Sequence, residues 1–153
     1  MALRSCMHAL AMAMALAAMG GEPVSWACTP APAAGDTVRI ELRATCQPGW
    51  HFYALHQSSN EGPLPTRVSI PAGPGYRVAG PVHEPEPVVA DDPAFGIRVK
   101  YHQGSATLHQ DIIREGGQGF TVPCAVEYMA CNDKTCLPPR TVAFTLEIPA
   151  TIH

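Results

Sequence analysis

Residues 37–46 read Thr-Val-Arg-Ile-Glu-Leu-Arg-Ala-Thr-Cys, and apolar and polar side chains alternate along the whole run. A period of two places successive side chains on opposite faces of a β-strand. One face would carry only apolar or small side chains, namely Val38, Ile40, Leu42, Ala44 and Cys46. The run therefore predicts a strand that buries one face and exposes the other.

The same period recurs in segments on both sides of this run. Clear alternation is found at residues 97–101, 120–128 and 141–148. Shorter apolar pieces lie near residues 67–70, 76–79 and 105–113, and Val24, Trp26 and Cys28 predict a first edge strand. Sixteen prolines and thirteen glycines punctuate the chain. Many short strands between turn residues predict an all-β chain folded as an antiparallel two-sheet sandwich.

One segment, residues 80–93, departs from this rhythm. It contains four prolines together with Glu84, Glu86, Asp91 and Asp92. Proline has no N–H group to donate to a strand ladder and favours extended backbone, so we expect an extended, acidic surface loop. A loop of this length is either functional or simply long, and its composition fits both interpretations.

The first twenty residues, 1–20, have the pattern of a secretory signal peptide. Arg4 gives a positive start, residues 9–19 form an apolar run, and Ala18-Met19-Gly20 is a small-x-small cleavage site. The run is too short to span a membrane, so we expect export to the periplasm and a mature domain of residues 21–153. A lipid-modified Cys28 is the alternative, although the preceding residues are a poor lipoprotein pattern. An exported chain meets an oxidising compartment, in which cysteine pairs persist.

Length and charge restrict the function classes. The chain has 153 residues and a formal net charge of −3, and loss of Arg4 with the signal would make the charge more negative by one. The mature part is long enough for one domain with its own core. The acidic balance argues against a nucleic-acid partner. No second long apolar segment is visible, so any membrane-bound electron donor is expected on a separate chain.

A cysteine pair near the carboxyl end is the strongest indication of chemistry. Residues 128–139 read Tyr-Met-Ala-Cys-Asn-Asp-Lys-Thr-Cys-Leu-Pro-Pro. Asn132 and Asp133 favour a tight turn, which would bring Cys131 and Cys136 within disulfide distance. The four polar residues between them predict that both cysteines lie on an exposed turn and not in the core. So small a ring stabilises a fold by only about 2 kcal/mol. Reversible redox chemistry is therefore the expected reason for the pair.

Two other interpretations of this pair stay open. The bridge could be an inert staple in a structural or protein-interaction β-sandwich. It could also be part of a soft-metal site, because thiolate and thioether ligands select copper(I) and Met129 lies beside Cys131. The seven histidines of the chain show no ligand spacing, so we expect neither a metal nor another cofactor.

The remaining cysteines have separate expectations. Cys6 would leave with the signal peptide, and an odd number of cysteines then remains. Cys28, Cys46 and Cys124 all fall on the inward parity of their strands, where cysteine behaves as a small hydrophobe. A bridge between Cys28 and Cys46 would close a loop worth about 3 kcal/mol and is the best candidate for a structural disulfide. The role of Cys124 stays open.

These motifs resemble the amino-terminal, immunoglobulin-like domain of DsbD, the periplasmic thiol-disulfide interchange protein, including its occurrence as a separate small secreted protein. The strongest element is residues 126–139, in which the cysteine pair is followed by Leu-Pro-Pro. Residues 48–53 are similar to the family's Gly-aromatic strand, and residues 62–66 to the turn after it. Residues 92–96 are similar to the end of the loop that caps the active cysteines in the family.

The resemblance implies an immunoglobulin-like antiparallel sandwich and an electron relay through thiol-disulfide exchange. A thioredoxin-like donor would reduce the pair, which would then reduce periplasmic disulfide isomerases or cytochrome c maturation thioredoxins. Cys136 would form the intermolecular mixed disulfide and Cys131 would resolve it. A monomer is expected.

The resemblance also implies a cap around the cysteine pair, formed by Tyr53, Asp92 and Phe95. The sequence departs from the family pattern at Ala94, which stands at the strict position of the capping aromatic residue, one place before Phe95.

Overall fold

The computed structural model describes residues 21–152 of the chain. The predicted signal peptide, residues 1–20, lies outside the described residues. Within residues 21–152 none forms a helix that could cross a lipid bilayer. The described chain is built from strands that we number β1 (Val24–Pro32), β2 (Thr37–Cys46), β3 (His51–Tyr53), β4 (Arg67–Ser69), β5 (Tyr76–His83), β6 (Val88–Asp92), β7 (Ile97–Gln103), β8 (Ser105–Arg114), β9 (Phe120–Tyr128), β10 (Ala130–Cys131) and β11 (Arg140–Ile148).

The first layer is an antiparallel sheet with the order β1-β2-β8-β5. The strand predicted from residues 37–46 is β2, and it lies between β1 and β8. Leu42 stands opposite Cys28 on one side and Leu108 on the other. The alternation observed in the sequence is confirmed, because Ile40, Leu42 and Ala44 are fully buried.

The second layer is divided into two smaller sheets. One has the order β11-β9-β4, and its inward side chains, including Val122 and Val126, share a core with those of the first layer. The other has the order β10-β3-β7-β6. The division falls at Met129, because β9 pairs with β11 and β4 whereas β10 pairs with β3. The predicted all-β, immunoglobulin-like antiparallel sandwich is confirmed, with this division as an added feature.

An aromatic cluster ties the first strand to the second layer. The ring centroid of Trp26 lies 5.0 Å from that of Phe52 and 5.5 Å from that of Tyr128. The Tyr128 hydroxyl donates a hydrogen bond of 3.1 Å to the carbonyl oxygen of Val24. Trp26 is partly buried and packs against the main core. The contacts fix the end of β9, from which the chain continues into β10.

The expectation of a long loop at residues 80–93 was wrong for most of that segment. Strand β5 continues as far as His83 after an irregularity in its pairing with β8, and β6 begins at Val88. Prolines do not prevent this arrangement, because β5 and β6 each lie at the edge of a sheet, where one side of the strand needs no partner. Only residues 84–87 connect the two strands.

Candidate redox site

The turn that carries the cysteine pair is closed by its own backbone and by Asn132. Cys131 and Cys136 are joined by a disulfide, and their Cα atoms lie 4.1 Å apart. The side-chain oxygen of Asn132 accepts hydrogen bonds from the backbone N–H groups of Lys134 and Thr135, at 2.9 and 2.8 Å. The N–H of Leu137 donates to the carbonyl oxygen of Ala130. The structure thus contains the tight turn that Asn132 and Asp133 predicted.

The two sulfur-bearing residues differ in exposure. Cys131 is completely buried, whereas Cys136 is partly exposed at the edge of the turn. The sequence predicted that both cysteines lie on an exposed turn, and for Cys131 this was wrong. The reason is the short strand β10, which pairs Cys131 with His51 of β3 and draws it into the sheet.

A small second core surrounds the buried cysteine. Its fully buried members are Tyr53, Val99 and Cys131, and partly buried side chains pack against them. The ring of Phe95 meets the ring of Tyr53 edge-on, with 6.1 Å between centroids. Tyr53 and Phe95, which the resemblance implied as neighbours of the pair, therefore belong to the same cluster as Cys131.

A polar network of three side chains lies on the same side of this sheet. The Tyr53 hydroxyl donates a hydrogen bond of 2.7 Å to the Oδ2 atom of Asp92. The Nε2 atom of His51 lies 3.2 Å from that hydroxyl and 3.8 Å from Asp92 Oδ2. Asp92 is buried, and a buried carboxylate requires such partners. The network therefore connects β3, which pairs with Cys131, to the end of β6.

Asp92 also shapes the backbone that follows it. Its Oδ1 atom accepts a hydrogen bond of 2.8 Å from the N–H of Ala94 and a longer one from Phe95. The N–H of Gly96 donates to the Asp92 carbonyl oxygen, and Gly96 has a φ of 66°. This left-handed conformation suits glycine, which has no Cβ to clash. Residues 92–96 therefore form a tight turn that presents Phe95 to Tyr53.

Burial governs the protonation of this network. Burial and the hydrogen bond to Asp92 hold the pKa of Tyr53 well above its ordinary range, so the hydroxyl stays a donor. Burial lowers the pKa of His51, and the nearby carboxylates of Asp92 and Asp133 offset this in part. Neutral imidazole is therefore favoured at neutral pH.

A further polar contact, between Glu84 and His102, lies beside the strand that pairs with β3. Glu84 lies in the short connection between β5 and β6, and one of its oxygens is 2.9 Å from His102 Nε2 on β7. The same oxygen accepts a hydrogen bond of 2.9 Å from the N–H of Leu55. Two connections of the chain are thereby fixed to the strand that pairs with β3.

The prediction of a structural disulfide between Cys28 and Cys46 was wrong. Both residues are free thiols in the structure. The register of β1 and β2 places Cys28 opposite Leu42 and Cys46 opposite Val24. The two cysteines are thus separated by four positions along the strand pair, roughly 13 Å at the rise of a β-strand, which exceeds the reach of a disulfide.

The alternative of copper(I) ligation concerns the sulfur atoms of Cys131 and Cys136. The disulfide uses both sulfur atoms that a copper site would need as thiolates. Among residues 21–152, no cluster of three or more His, Cys, Asp or Glu side chains could hold a metal ion.

His51 and Glu84 are the residues that the sequence analysis missed. A signal for His51 was present, because residues 51 and 53 share one face of a strand and Tyr53 had been singled out. No comparable signal pointed to Glu84, whose partners are distant in the sequence and depend on the fold.

The fold and the disulfide together define a β-sandwich domain of the thiol-disulfide interchange class. Residues 23–148 match the family described as "Thiol:disulfide interchange protein DsbD, N-terminal", and the chain belongs to this family. The resemblance noted in the sequence is thereby confirmed. No curated protein sequence gives a significant match.

Two solved structures have a similar fold. The N-terminal domain of DsbD from Neisseria meningitidis, in the reduced form, aligns with a TM-score of 0.54 and 16% identity over 82% of this chain and 89% of that chain. The N-terminal periplasmic domain of ScsB from Proteus mirabilis aligns with a TM-score of 0.60 and 16% identity. That alignment covers 88% of this chain and 51% of the ScsB chain, so this chain spans about half the ScsB chain.

The hydrogen bond between Tyr53 and Asp92 can be tested with Tyr53→Phe. The substitution leaves a buried carboxylate without its shortest side-chain donor, so we expect a loss of about 1 to 3 kcal/mol of unfolding free energy. We also expect faster alkylation of the reduced Cys131/Cys136 pair, since the turn at residues 92–96 loses its anchor. Urea unfolding and the rate of iodoacetamide labelling measure the two effects.

Tyr101→Phe is the matched control, because Tyr101 stands opposite Tyr53 on the neighbouring strand β7. Its hydroxyl makes no hydrogen bond with another described side chain. Equal labelling rates for Tyr53→Phe and Tyr101→Phe would contradict a role of the Asp92 contact in covering the pair.

The lowered pKa of His51 predicts a pH dependence of stability. Above the unfolded-state pKa near 6.5, the His51 imidazole is neutral in both the folded and the unfolded chain. In that range His51 does not make the free energy of unfolding depend on pH. Below it the unfolded chain takes up a proton before the folded chain does, so stability falls as pH falls toward the folded pKa. We expect His51→Gln to lose stability less steeply than the wild type in urea titrations between pH 7.5 and 5. The exposed His56→Gln is the control, and equal slopes for His51→Gln and wild type would refute the assignment.

Proposed function

We propose that this chain is a periplasmic thiol-disulfide oxidoreductase that relays reducing equivalents through Cys131 and Cys136. It accepts electrons from a thioredoxin-like donor and passes them to oxidised proteins, acting as a protein-disulfide reductase. Membership of the DsbD N-terminal family supports this chemistry, and the disulfide in the turn supplies the reacting group.

The unequal exposure of the two cysteines carries the proposal. Cys131 is buried and Cys136 is partly exposed, so we expect an incoming thiolate to attack the sulfur of Cys136 and not that of Cys131. Thiol-disulfide exchange requires in-line access to one sulfur and a partner thiol to resolve the mixed disulfide. In this turn the Cys136 sulfur is the proposed site of attack, and the Cys131 thiol is the proposed resolving group.

Reduction of the domain proceeds in two exchanges. A donor thiolate attacks Cys136, the bond to Cys131 breaks, and the Cys131 sulfur leaves with the electron pair. Its buried position disfavours a lasting charge, so it takes up a proton. The second donor thiol then attacks the mixed disulfide and releases Cys136, and the donor leaves with the disulfide. The same two exchanges run in reverse when the reduced domain meets an oxidised acceptor. Cys136 then attacks the acceptor disulfide, and Cys131 resolves the mixed disulfide.

The turn at residues 92–96 serves as the cap of the pair. Phe95 packs in the cluster that contains Cys131 and Cys136, and Asp92 anchors the turn to Tyr53. Opening of this segment by a docked partner would expose more of the disulfide, as lids do in other enzymes. In the absence of a partner the cap limits oxidation of the reduced pair.

The proposed partners follow from membership of the DsbD N-terminal family. Thioredoxin-like proteins present an exposed, reactive cysteine that can reach Cys136. Periplasmic disulfide isomerases and cytochrome c maturation thioredoxins are acceptors of this type, and a membrane protein on a separate chain supplies the electrons. The periplasmic location of the similar ScsB domain and the signal-like residues 1–20 support the proposed compartment.

Cys131→Ala tests the assignment of the two roles. Without a resolving thiol, the Cys136 thiolate should remain bonded to an acceptor, so we expect a stable mixed disulfide that dithiothreitol releases. Non-reducing electrophoresis and mass spectrometry after incubation with an oxidised thioredoxin-like protein measure the adduct.

Cys136→Ala should give little adduct, because the remaining Cys131 is buried, and Cys46→Ala is a control for loss of an unrelated buried thiol. Trapping by Cys136→Ala alone would reverse the roles. If Cys131→Ala traps no partner and the wild-type bridge resists a thioredoxin-type donor, the bridge is an inert staple and the domain belongs to the structural or interaction class.

A further inference from the structure

We propose that Cys28 and Cys124 form a second dithiol site, which a disulfide oxidant converts into an inter-sheet disulfide separate from the Cys131/Cys136 pair. The site lies in the main core and joins the first strand of one layer to the central strand of the other. It does not depend on the proposed relay function.

The positions of the two residues bring their side chains together. Cys28 stands opposite Leu42, which is fully buried, so its side chain points to the inner face of the first layer. Cys124 stands opposite Phe144 in the second layer and is 2% exposed. Both residues belong to or pack against the same core, and each thiol shifts the pKa of the other. Two inward cysteines on facing layers can thus meet without a change of register.

The third free cysteine has a different environment. Cys46 lies opposite Val24, and its Sγ is 4.0 Å from the carbonyl oxygen of His102. Burial raises the pKa of its thiol to about 11. Cys46 is therefore an inert buried thiol and a suitable internal control.

The two thiols of the proposed site are unequal. The neighbouring Cys124 thiol lowers the pKa of Cys28, and the Cys28 thiol together with burial holds the pKa of Cys124 far above its ordinary range. Cys28 is also the more exposed of the two. Since the thiolate is the nucleophile in exchange, Cys28 attacks first and Cys124 follows.

The oxidation balances with any disulfide as the oxidant. The Cys28 thiolate attacks one oxidant sulfur, forms a mixed disulfide and releases one thiolate, which takes up the proton that Cys28 lost. Cys124 then attacks the Cys28 sulfur, the mixed bond breaks, and the second thiolate leaves with the proton from Cys124. The protein loses two electrons and two protons, and the oxidant becomes two thiols.

The product would be a covalent link between the layers. Antibody domains carry an inter-sheet disulfide in a similar core, although here the link would start from β1, the edge strand beside β2. The loop it closes is long, and long loops give the largest stabilisation in the chain-entropy model. The link would hold β1 against β9, whose end leads into the redox turn.

The test uses the full chain with Cys6, Cys131 and Cys136 replaced by serine, so that only Cys28, Cys46 and Cys124 can react. The protein is equilibrated with oxidised glutathione, denatured and labelled with a maleimide. We expect one label per chain, no glutathione adduct and a cross-linked peptide that joins residues 28 and 124. Removal of Cys46 in this background should leave no label, and Cys124→Ser should restore label or glutathione on Cys28.

A second measurement avoids the serine substitutions. Disulfide mapping of the unmodified chain after the same oxidation should show the 28–124 link beside the 131–136 link. After the same oxidation, the unfolding temperature of the Cys124→Ser variant should be roughly 10 °C below that of the unmodified chain. Three labels after oxidation, or any bond that includes Cys46, would overturn the proposal whatever the outcome of the relay experiments.

Discussion

The pairing of β10 with β3 is the interaction on which the redox site depends. It consists of only two residue pairs, Ala130 with Phe52 and Cys131 with His51. Because neighbouring residues of a strand face opposite sides, Ala130 and Phe52 enter the main core while Cys131 enters the smaller cluster around Tyr53. A break at Met129 allows this change of partner strand. The same short pairing thus seals one sulfur and leaves the returning half of the turn at the surface.

The surroundings of the pair divide into parts with different physical roles. The disulfide ring is too small to contribute more than about 2 kcal/mol, so strand pairing and packing hold the turn in place. The buried Asp92 carboxylate is stabilised by the Tyr53 hydroxyl and by backbone N–H groups, which link the segment over the pair to the strand beneath it. Glu84 fixes the adjacent connection through His102 and Leu55. Reactivity and stability are therefore supplied by separate groups.

The sequence predicted what depends on periodicity and local turn chemistry. The two-residue period of β2 identified its buried face, and Asn132 identified the turn that joins Cys131 to Cys136. Parity reveals which face a residue occupies but not its partner. For this reason Cys28 was matched with Cys46 in its own layer, although its side chain packs against the core that contains Cys124 of the other layer. The proline-rich residues 80–93 were expected to form a loop, because the sequence does not reveal that an edge position tolerates them. The polar contact between Glu84 and His102 joins residues that are distant in the sequence, and no local pattern indicates it.

The central claim is that the bridge between Cys131 and Cys136 is reversibly redox-active. The most direct measurement is its reduction potential, obtained by equilibrating a variant that retains only these two cysteines with dithiothreitol buffers and counting alkylated thiols. A partly exposed bridge that relays electrons should have a potential above about −300 mV, within reach of a thioredoxin-type donor at about −270 mV. A potential well below about −300 mV would identify a structural disulfide and contradict the relay.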